Sequence, residues 1–256
     1  MLAVGGAVAV IVLAFVCWYE LQSHALGSVT VEPGLTLHEV AERVDALPGH
    51  GGESFAHVAA GGAVHSTFSP PGSNDLEGIL GTGNYRVEPG ETDTTILTDM
   101  VQRFDSQATA AGLSTSSAAA FGLTPYQVIT AASIVEKEGY IPKNMPDVAR
   151  VIYNRLAAGT PLQMNATVLY SLGQDGGSVT SKDLKLHTPY NTYLNVGLTP
   201  TPICSPSMDA LTAAVHPPAG EWLYFVLVKK DGTEAFSDTY AEQLANEKLA
   251  QQRGVG

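Results

Sequence analysis

The sequence predicts an α+β fold in which helices pack around small antiparallel strands, preceded by one transmembrane helix. Residues 222–228, 229–232 and 233–236 have the strand, turn and strand pattern of a β-hairpin. Segments with apolar residues at helical spacing lie apart from this hairpin along the chain, which is typical of α+β proteins. The predicted helices are 37–47, 94–107, 124–138, 147–158, 206–215 and 238–251.

The composition excludes several classes of protein. Of the 256 residues, 45% are hydrophobic and 15% are charged, so the chain is not disordered. Its formal net charge is −12, from 13 Lys and Arg against 25 Asp and Glu, and so acidic a surface repels phosphate backbones. Cys17 and Cys204 are too few for a disulfide framework or a cysteine metal site. We therefore expect no nucleic-acid partner, no disulfide and no metal.

The stretch from Met1 to Tyr19 contains no charged residue. A helix of about 20 apolar residues spans the hydrocarbon core of a bilayer, and Trp18 and Tyr19 suit its interfacial belt. The stretch predicts a transmembrane anchor, with a cleaved signal peptide or a buried helix as the alternatives. No Lys or Arg precedes Arg43, so flanking charge does not indicate the orientation.

The patterns divide the chain into three predicted regions. Residues 1–19 are the anchor. Residues 20–75 hold a short strand, a helix that Thr36 and Glu39 can open with a capping box, and a linker or mobile loop rich in Gly, Ser and Pro. Residues 76–256 have the densest structural signals, and we expect the chemistry there.

The predicted helix at 124–138 carries the best candidate for a catalytic group. Thr124 can cap this helix, Pro125 suits its first position, and Gly139 can end it. On a wheel with about 100° per residue, Glu138 falls at the edge of an apolar stripe, whereas Glu136 points away from it. The stripe consists of Val128, Ala131, Ala132 and Val135.

An apolar environment disfavours the charged form of a carboxyl group and raises its pKa, as a general acid requires. The pattern therefore favours Glu138 as a catalytic acid and makes Glu136 the secondary candidate. A solvated Glu-Lys-Glu helix end is the alternative that the pattern alone leaves open.

Seven collinear segments resemble the endolytic murein transglycosylases, the MltG/YceG-like family. Residues 132–138 match the family's signature ASIVEKE in full, and residues 151–156 match its V(F/Y)xNRL pattern. The remaining segments are 76–78 with 84–85, 161–168, 188–193, 197–206, and 224–226 with 236–237.

The chain departs from the family pattern at three informative positions. Asn165 stands where the family has an acid, Gly139 stands where a Thr commonly follows the catalytic Glu, and Glu234 stands where a His is common. We also expect the family's upstream LysM-like module to be absent or reduced before Leu76. These changes bear on rate and substrate range more than on the class of reaction.

The resemblance implies a membrane-anchored lytic transglycosylase that cleaves MurNAc-GlcNAc bonds and leaves 1,6-anhydro-MurNAc ends, with Glu138 as the catalytic residue. Neutral hydrogen-bonding and aromatic side chains suit sugar hydroxyl and acetamido groups, although each of them has a structural alternative. The expected substrate-binding residues are Gln163, Asn165, Thr167, Tyr190, Asn191 and Tyr193. Arg155 is expected to support the fold through an ion pair.

The expected substrate is the peptidoglycan glycan strand, with the cytoplasmic membrane and cell-wall synthases as further partners and no cofactor. The catalytic domain would then lie on the extracytoplasmic side of the cell membrane.

A non-catalytic glycan-binding scaffold with the same fold is the second hypothesis, favoured by Asn165 and Glu234 and opposed by Glu138. A hydrolase of another class is the third, but no Gly-x-Ser-x-Gly, His-Glu-x-x-His or Walker pattern supports it.

Overall fold

The computed structural model describes residues 27–52, 54–139 and 141–255. These residues form an α+β structure with two antiparallel two-stranded sheets, as the sequence predicts. The strands are β1 Gly27–Val31, β2 Gly83–Val87, β3 Tyr224–Leu227 and β4 Glu234–Ser237. The helices are α1 Leu37–Asp45, α2 Phe55–Ala60, α3 Asp93–Ala110, α4 Thr115–Ala119, α5 Pro125–Glu138, α6 Met145–Ala157, α7 Asn165–Ser171, α8 Met208–Val215 and α9 Tyr240–Gln252.

The predicted anchor, Met1 to Tyr19, lies outside the described residues. Among the residues that are described, no helix combines the length and the apolar character needed to cross a membrane.

The first sheet joins two distant parts of the chain. Strand β1 pairs with β2 so that Val29 lies opposite Tyr85, and both side chains are buried. Helix α2 lies within residues 48–75, where the sequence predicts a linker, and it buries Phe55 and Ala59 in the same core. The prediction missed this helix because it is only six residues long and the Gly, Ser and Pro residues around it mask its pattern.

Helix α5 lies at the centre of the fold. Every residue from Val128 to Val135 is buried. Val128, Ile129 and Ala132 pack in the core beneath the first sheet. Ile134 and Val135 belong instead to a second core shared with α6 and α8. The single apolar stripe predicted from the wheel is therefore too narrow, since α5 is enclosed on all sides over this stretch.

The ends of α5 follow its sequence. Thr124 and Gln127 form the predicted reciprocal capping box, and Pro125 opens the helix. The helix ends at Glu138, and the N–H of Gly139 donates to the carbonyl of Val135. Gly139 has a φ of −76°, which any residue can adopt, so the backbone conformation does not require glycine here. A Cβ at this position would lie 2.7 Å from Cγ of Met145, and close packing is thus the reason for glycine.

The predicted hairpin is present as β3 and β4, with Phe225 opposite Phe236. Its turn packs against the segment that follows α5, because the buried Asn144 donates through Nδ2 to the carbonyl of Gly232 at 2.7 Å. Helix α9 packs on the hairpin through the buried Gln243, whose Nε2 donates to the carbonyl of Phe225 at 3.2 Å. These contacts hold the hairpin and the first half of α9 near Glu138, which lines the same cavity as Tyr224 and Tyr240.

Candidate active site

Glu138 is the last residue of α5, and its partly buried side chain extends toward the first turn of α7. Its Oε1 accepts a hydrogen bond from the backbone N–H of Ala166 at 2.8 Å. Burial raises the pKa of the Glu138 carboxyl above its ordinary value, and the hydrogen bond from Ala166 opposes this by a smaller amount. The carboxyl group thus stays protonated to a higher pH than a solvated glutamate.

Two cavities meet at Glu138. The first, which we call the Tyr170 cavity, has a volume of about 580 Å³ and is lined by Glu77, Tyr170 and the loop 173–177 among others. The second, the Tyr224 cavity, has a volume of about 410 Å³ and extends toward β3 and α9. Glu138 and Asn165 line both cavities, so the candidate acid borders two binding spaces.

Three of the predicted substrate-binding residues line the Tyr224 cavity beside Glu138: Gln163, Asn165 and Tyr193. The phenol of Tyr193 donates to Oδ1 of Asn165 at 2.7 Å. The charge of Glu138 also raises the pKa of Tyr193, after the larger effect of burial. Gln163 has a φ of 55°, a left-handed conformation that is uncommon for a residue other than glycine. Such strain is often found at functional sites.

The other three predicted substrate-binding residues are directed into the protein. Thr167 is buried and donates through Oγ1 to the carbonyl of Met164 at 2.8 Å. Asn191 is also buried, and its Nδ2 donates to the carbonyls of Leu184 and Leu186. The hydroxyl of Tyr190 pairs with Oγ1 of Thr201 at 2.8 Å. The structure therefore separates these three side chains, which support the loops, from the three that line the cavity.

Glu136 faces away from both cavities. Its Oε2 accepts from the backbone N–H of Ser207 at 2.8 Å. Ser207 is the residue that caps α8, so this contact ties the end of α5 to the start of α8. Lys137 lines the Tyr170 cavity and forms an ion pair with Asp175. The two acids of the Glu-Lys-Glu run thus have different environments, as the wheel predicts.

Arg155 supports the site through carbonyl oxygens. Its guanidinium donates to the carbonyls of Leu223 at 2.6 Å, Leu162 at 2.7 Å and Pro161 at 3.2 Å, and to Oε1 of Gln163 at 3.1 Å. The sequence predicted an ion pair for Arg155. Among the described residues, its hydrogen-bond partners are instead these carbonyl and amide oxygens. Arg155 therefore joins the loop before α7 to strand β3, across the Tyr224 cavity that it lines.

Glu77 is a buried acid in the Tyr170 cavity that the sequence analysis did not single out as a site residue. Its Oε1 accepts from the N–H groups of Leu37 at 3.0 Å and Gly78 at 3.1 Å, and its Oε2 accepts from the hydroxyl of Tyr170 at 3.1 Å. Burial raises its pKa to about 7, although these hydrogen bonds lower it. The family-like segment 76–78 was the available signal for this residue.

We expect Glu77→Gln to change how stability depends on pH. The ordinary pKa of 4.5 describes the unfolded state, and the folded value is about 7. As pH rises from 4.5, the unfolded chain loses this proton first, so the wild-type protein loses stability until about pH 7. The full loss is about 3 kcal/mol. Glutamine keeps an acceptor oxygen but does not titrate, so the variant escapes this loss.

The measurement is urea unfolding of both proteins at several pH values between 4.5 and 7.5. The unfolding free energy of Glu77→Gln should rise relative to that of the wild type as the pH increases. Parallel curves for the two proteins would show that Glu77 does not titrate abnormally.

Glu234 is a second acid near Glu138. Its Oε2 is buried and has no hydrogen-bond partner among the described residues. Burial, and after it the charge of Glu138, together raise its pKa to about 7, although a hydrogen bond with Asn144 lowers it. The two carboxyl groups are therefore coupled, and Glu234 is partly protonated near neutral pH. The sequence marked this position only as a replacement for the family's common His.

Comparison with known proteins places these residues in a family context. The sequence model of the YceG-like family matches residues 15–249. A protein of Streptococcus pneumoniae R6 named endolytic murein transglycosylase is 30% identical over 251 residues, which cover 89% of this chain and 45% of that protein. One of Bacillus subtilis 168 with the same name is 42% identical over 117 residues, or 46% of this chain and 32% of that protein.

The fold has a solved counterpart. A crystal structure of a YceG-like protein from Listeria monocytogenes has a TM-score of 0.71 and 28% identity, covering 85% of this chain and 75% of that one. The chain spans less than half the length of the curated relatives that it matches.

Proposed function

This chain belongs to the YceG-like family, and on that premise we propose that it is an endolytic peptidoglycan lytic transglycosylase with Glu138 as its catalytic acid and base. The observation that carries the proposal is the position of Glu138, a carboxyl group of raised pKa where two cavities meet. The relatives named endolytic murein transglycosylase support the reaction class.

In the first step, protonated Glu138 donates its proton to the oxygen that links C1 of MurNAc to GlcNAc. The C1–O bond breaks, and GlcNAc leaves with a hydroxyl group at that position. Positive charge develops at C1 of MurNAc, where the substrate's own N-acetyl group can support it. The N–H of Ala166 already donates to Glu138, so the carboxylate that forms in this step has a hydrogen-bond donor in place.

In the second step, ionised Glu138 accepts the proton of the MurNAc 6-hydroxyl. The O6 atom bonds to C1 and closes the 1,6-anhydro ring. Glu138 is then protonated again, so one carboxyl group serves as acid and then as base. Neither a water nucleophile nor a second carboxylate is required, in contrast to ordinary glycosidases.

The other acids that line the cavities are already engaged. Glu39 accepts from its helix cap residue, and Glu77 accepts from three donors. Asp175 pairs with Lys137, and Glu247 accepts from Gln243. Among the described residues, Glu138 is the acid that lines both cavities, which supports a mechanism with a single carboxyl group.

The arrangement of the cavities also supports cleavage within a strand. A polymer that is cut internally needs room for sugar rings on both sides of the reacting bond. The Tyr170 and Tyr224 cavities, which both border Glu138, can offer this room. Polar side chains such as Gln163, Asn165 and Tyr193 suit the hydroxyl and acetamido groups of a glycan.

The uncharged stretch from Met1 to Tyr19 motivates a proposal about location. Within the proposed function, this stretch anchors the protein in the cytoplasmic membrane, with the catalytic region on the outer side, near the cell-wall synthases. A reporter that is active only outside the cytoplasm, fused after Gly256, should be active. Activity of a reporter restricted to the cytoplasm would contradict this topology.

Digestion of purified sacculi tests the reaction. The wild-type protein should release fragments that end in 1,6-anhydro-MurNAc, which mass spectrometry identifies.

The second candidate is a glycan-binding scaffold of the same fold, which the amide at Asn165 and the acid at Glu234 favour. A well-folded protein that binds glycan strands without any turnover would support the scaffold.

A further inference from the structure

Part of the wall of the Tyr224 cavity is aromatic. Tyr224 begins β3 and Tyr240 begins α9, and their ring centroids lie 5.9 Å apart with an angle of 53° between the planes. Both residues line the cavity that starts at Glu138. The cavity that Glu138 lines therefore also presents a pair of tyrosine rings.

Tyr240 is unusually exposed for an aromatic residue. It is 61% exposed and is the one aromatic residue among the exposed large hydrophobic residues in the described ranges. The start of α9 does not require it, because Thr239 and Glu242 already form a capping box there. The buried residues of α9 are Gln243 and Ala250, so Tyr240 adds nothing to the core. The position of this ring is better explained by a ligand than by folding.

Tyr224 is held in place from the protein side. The guanidinium of Arg155 lies 5.2 Å from the centroid of its ring, and four oxygen acceptors fix that guanidinium. Such a contact orients the ring without covering it completely. One ring of the pair is therefore fixed and the other is open to solvent, an arrangement suited to a ligand that packs on an aromatic surface.

The surroundings indicate the chemistry of that ligand. The cavity lining near the tyrosines includes the polar groups of Gln163 and Glu247. The guanidinium of Arg155 also lines the cavity, but it already donates to four oxygen acceptors of the protein. A neutral ring with one apolar face and hydroxyl groups at its edge fits this combination, whereas a fatty chain would leave the polar groups without partners. A hexopyranose has these properties, because its C–H groups form an apolar face and its hydroxyl groups lie around the rim.

We propose that Tyr224 and Tyr240 form a saccharide-stacking subsite that holds sugar rings of the glycan strand away from the bond that is cleaved. This inference rests on the proposed function, since it places the subsite in the same groove as Glu138. The subsite favours long strands, because only a strand that extends beyond the reacting sugars reaches the tyrosines.

The test compares Tyr240→Ala, Tyr240→Phe and the control Leu244→Ala in binding and in cleavage. Leu244 is 47% exposed on the same helix and does not line the cavity. Binding is measured by calorimetry in the Glu138→Gln background, so that long strands and short oligosaccharides stay intact. Tyr240→Ala should weaken the binding of long strands by about 3- to 10-fold, as expected for the loss of one aromatic contact. Tyr240→Phe and Leu244→Ala should bind like the parent protein.

Cleavage should show the same dependence on strand length. In the wild-type background, Tyr240→Ala should raise KM for long strands by a similar factor and leave kcat and the cleavage of short oligosaccharides unchanged. The subsite would be overturned if Tyr240→Ala bound long strands as tightly as the parent protein does. An equal loss of affinity for strands of every length would also overturn it. The same holds if the parent protein binds no strand at all. Tyr240-dependent binding by a wild-type protein that cleaves nothing would support the subsite while contradicting the proposed catalysis.

Discussion

Replacement of Glu138 with Gln should abolish cleavage of glycan strands while leaving the fold intact. Glutamine has nearly the same size, and its side-chain oxygen can still accept from the N–H of Ala166, which lies 2.8 Å from Oε1 in the structure. The variant lacks the proton that the leaving oxygen needs and the base that O6 needs afterwards. A general acid or base contributes roughly 10²- to 10⁴-fold to a rate, and a single group acting in both steps should lie at the upper end.

The measurement is the rate of release of soluble fragments from purified sacculi, with circular dichroism as the check on folding. Glu136→Gln is the matched control, because its side-chain oxygen can still accept from the N–H of Ser207. This control should keep most of its activity, since Glu136 lines neither cavity. Equal losses in the two variants would indicate damage to the end of α5 and would remove the support for Glu138 as the acid.

Replacement of Arg155 with Met should cause a large loss of stability. The substitution leaves three carbonyl oxygens without their Arg155 donor: the buried one of Leu162 and the partly buried ones of Pro161 and Leu223. An unsatisfied buried acceptor costs about 1–3 kcal/mol, so the variant should lose about 3 kcal/mol or more. A loss of that size lowers the Tm of a chain this long by about 6–12 °C. Activity should also fall, since Arg155 holds the wall of the Tyr224 cavity.

Thermal unfolding of three proteins measures this effect: the wild type, Arg155→Met and the control Arg86→Met. Arg86 has a side chain that is 67% exposed and pairs with Glu88 at the surface. Its replacement should change stability by less than about 1 kcal/mol. If Arg155→Met unfolded at the same temperature as the control, the hydrogen bonds of the guanidinium would not be holding the cavity together.

Local signals in the sequence were sufficient to predict several elements of the fold. The capping boxes at Thr36 and Thr124 are present, and α5 ends at Glu138, where the sequence predicted its end. The hairpin also lies where the alternation of strand and turn residues predicted it. These features depend on residues close together in the chain, so periodicity and capping chemistry are enough to find them.

Features that depend on distant contacts could not be predicted in this way. The pairing of β1 with β2 and the burial of Glu77 against Tyr170 each join residues far apart in sequence. The sequence also could not show which polar residues line the groove, because Asn165 and Asn191 are both suited to bind sugars. Only the structure shows that one lines the groove and the other holds a loop. Residue type indicates what a side chain can bind, whereas tertiary packing decides what it does bind.

The most direct test of the central claim is the origin of the oxygen at the new glycan end. Purified sacculi are digested in water enriched in ¹⁸O, and the released fragments are analysed by mass spectrometry. If Glu138 directs O6 of MurNAc to C1, the new ends carry a 1,6-anhydro ring and contain no ¹⁸O. Reducing MurNAc ends that contain ¹⁸O would show that water attacks C1, and the protein would then be a hydrolase.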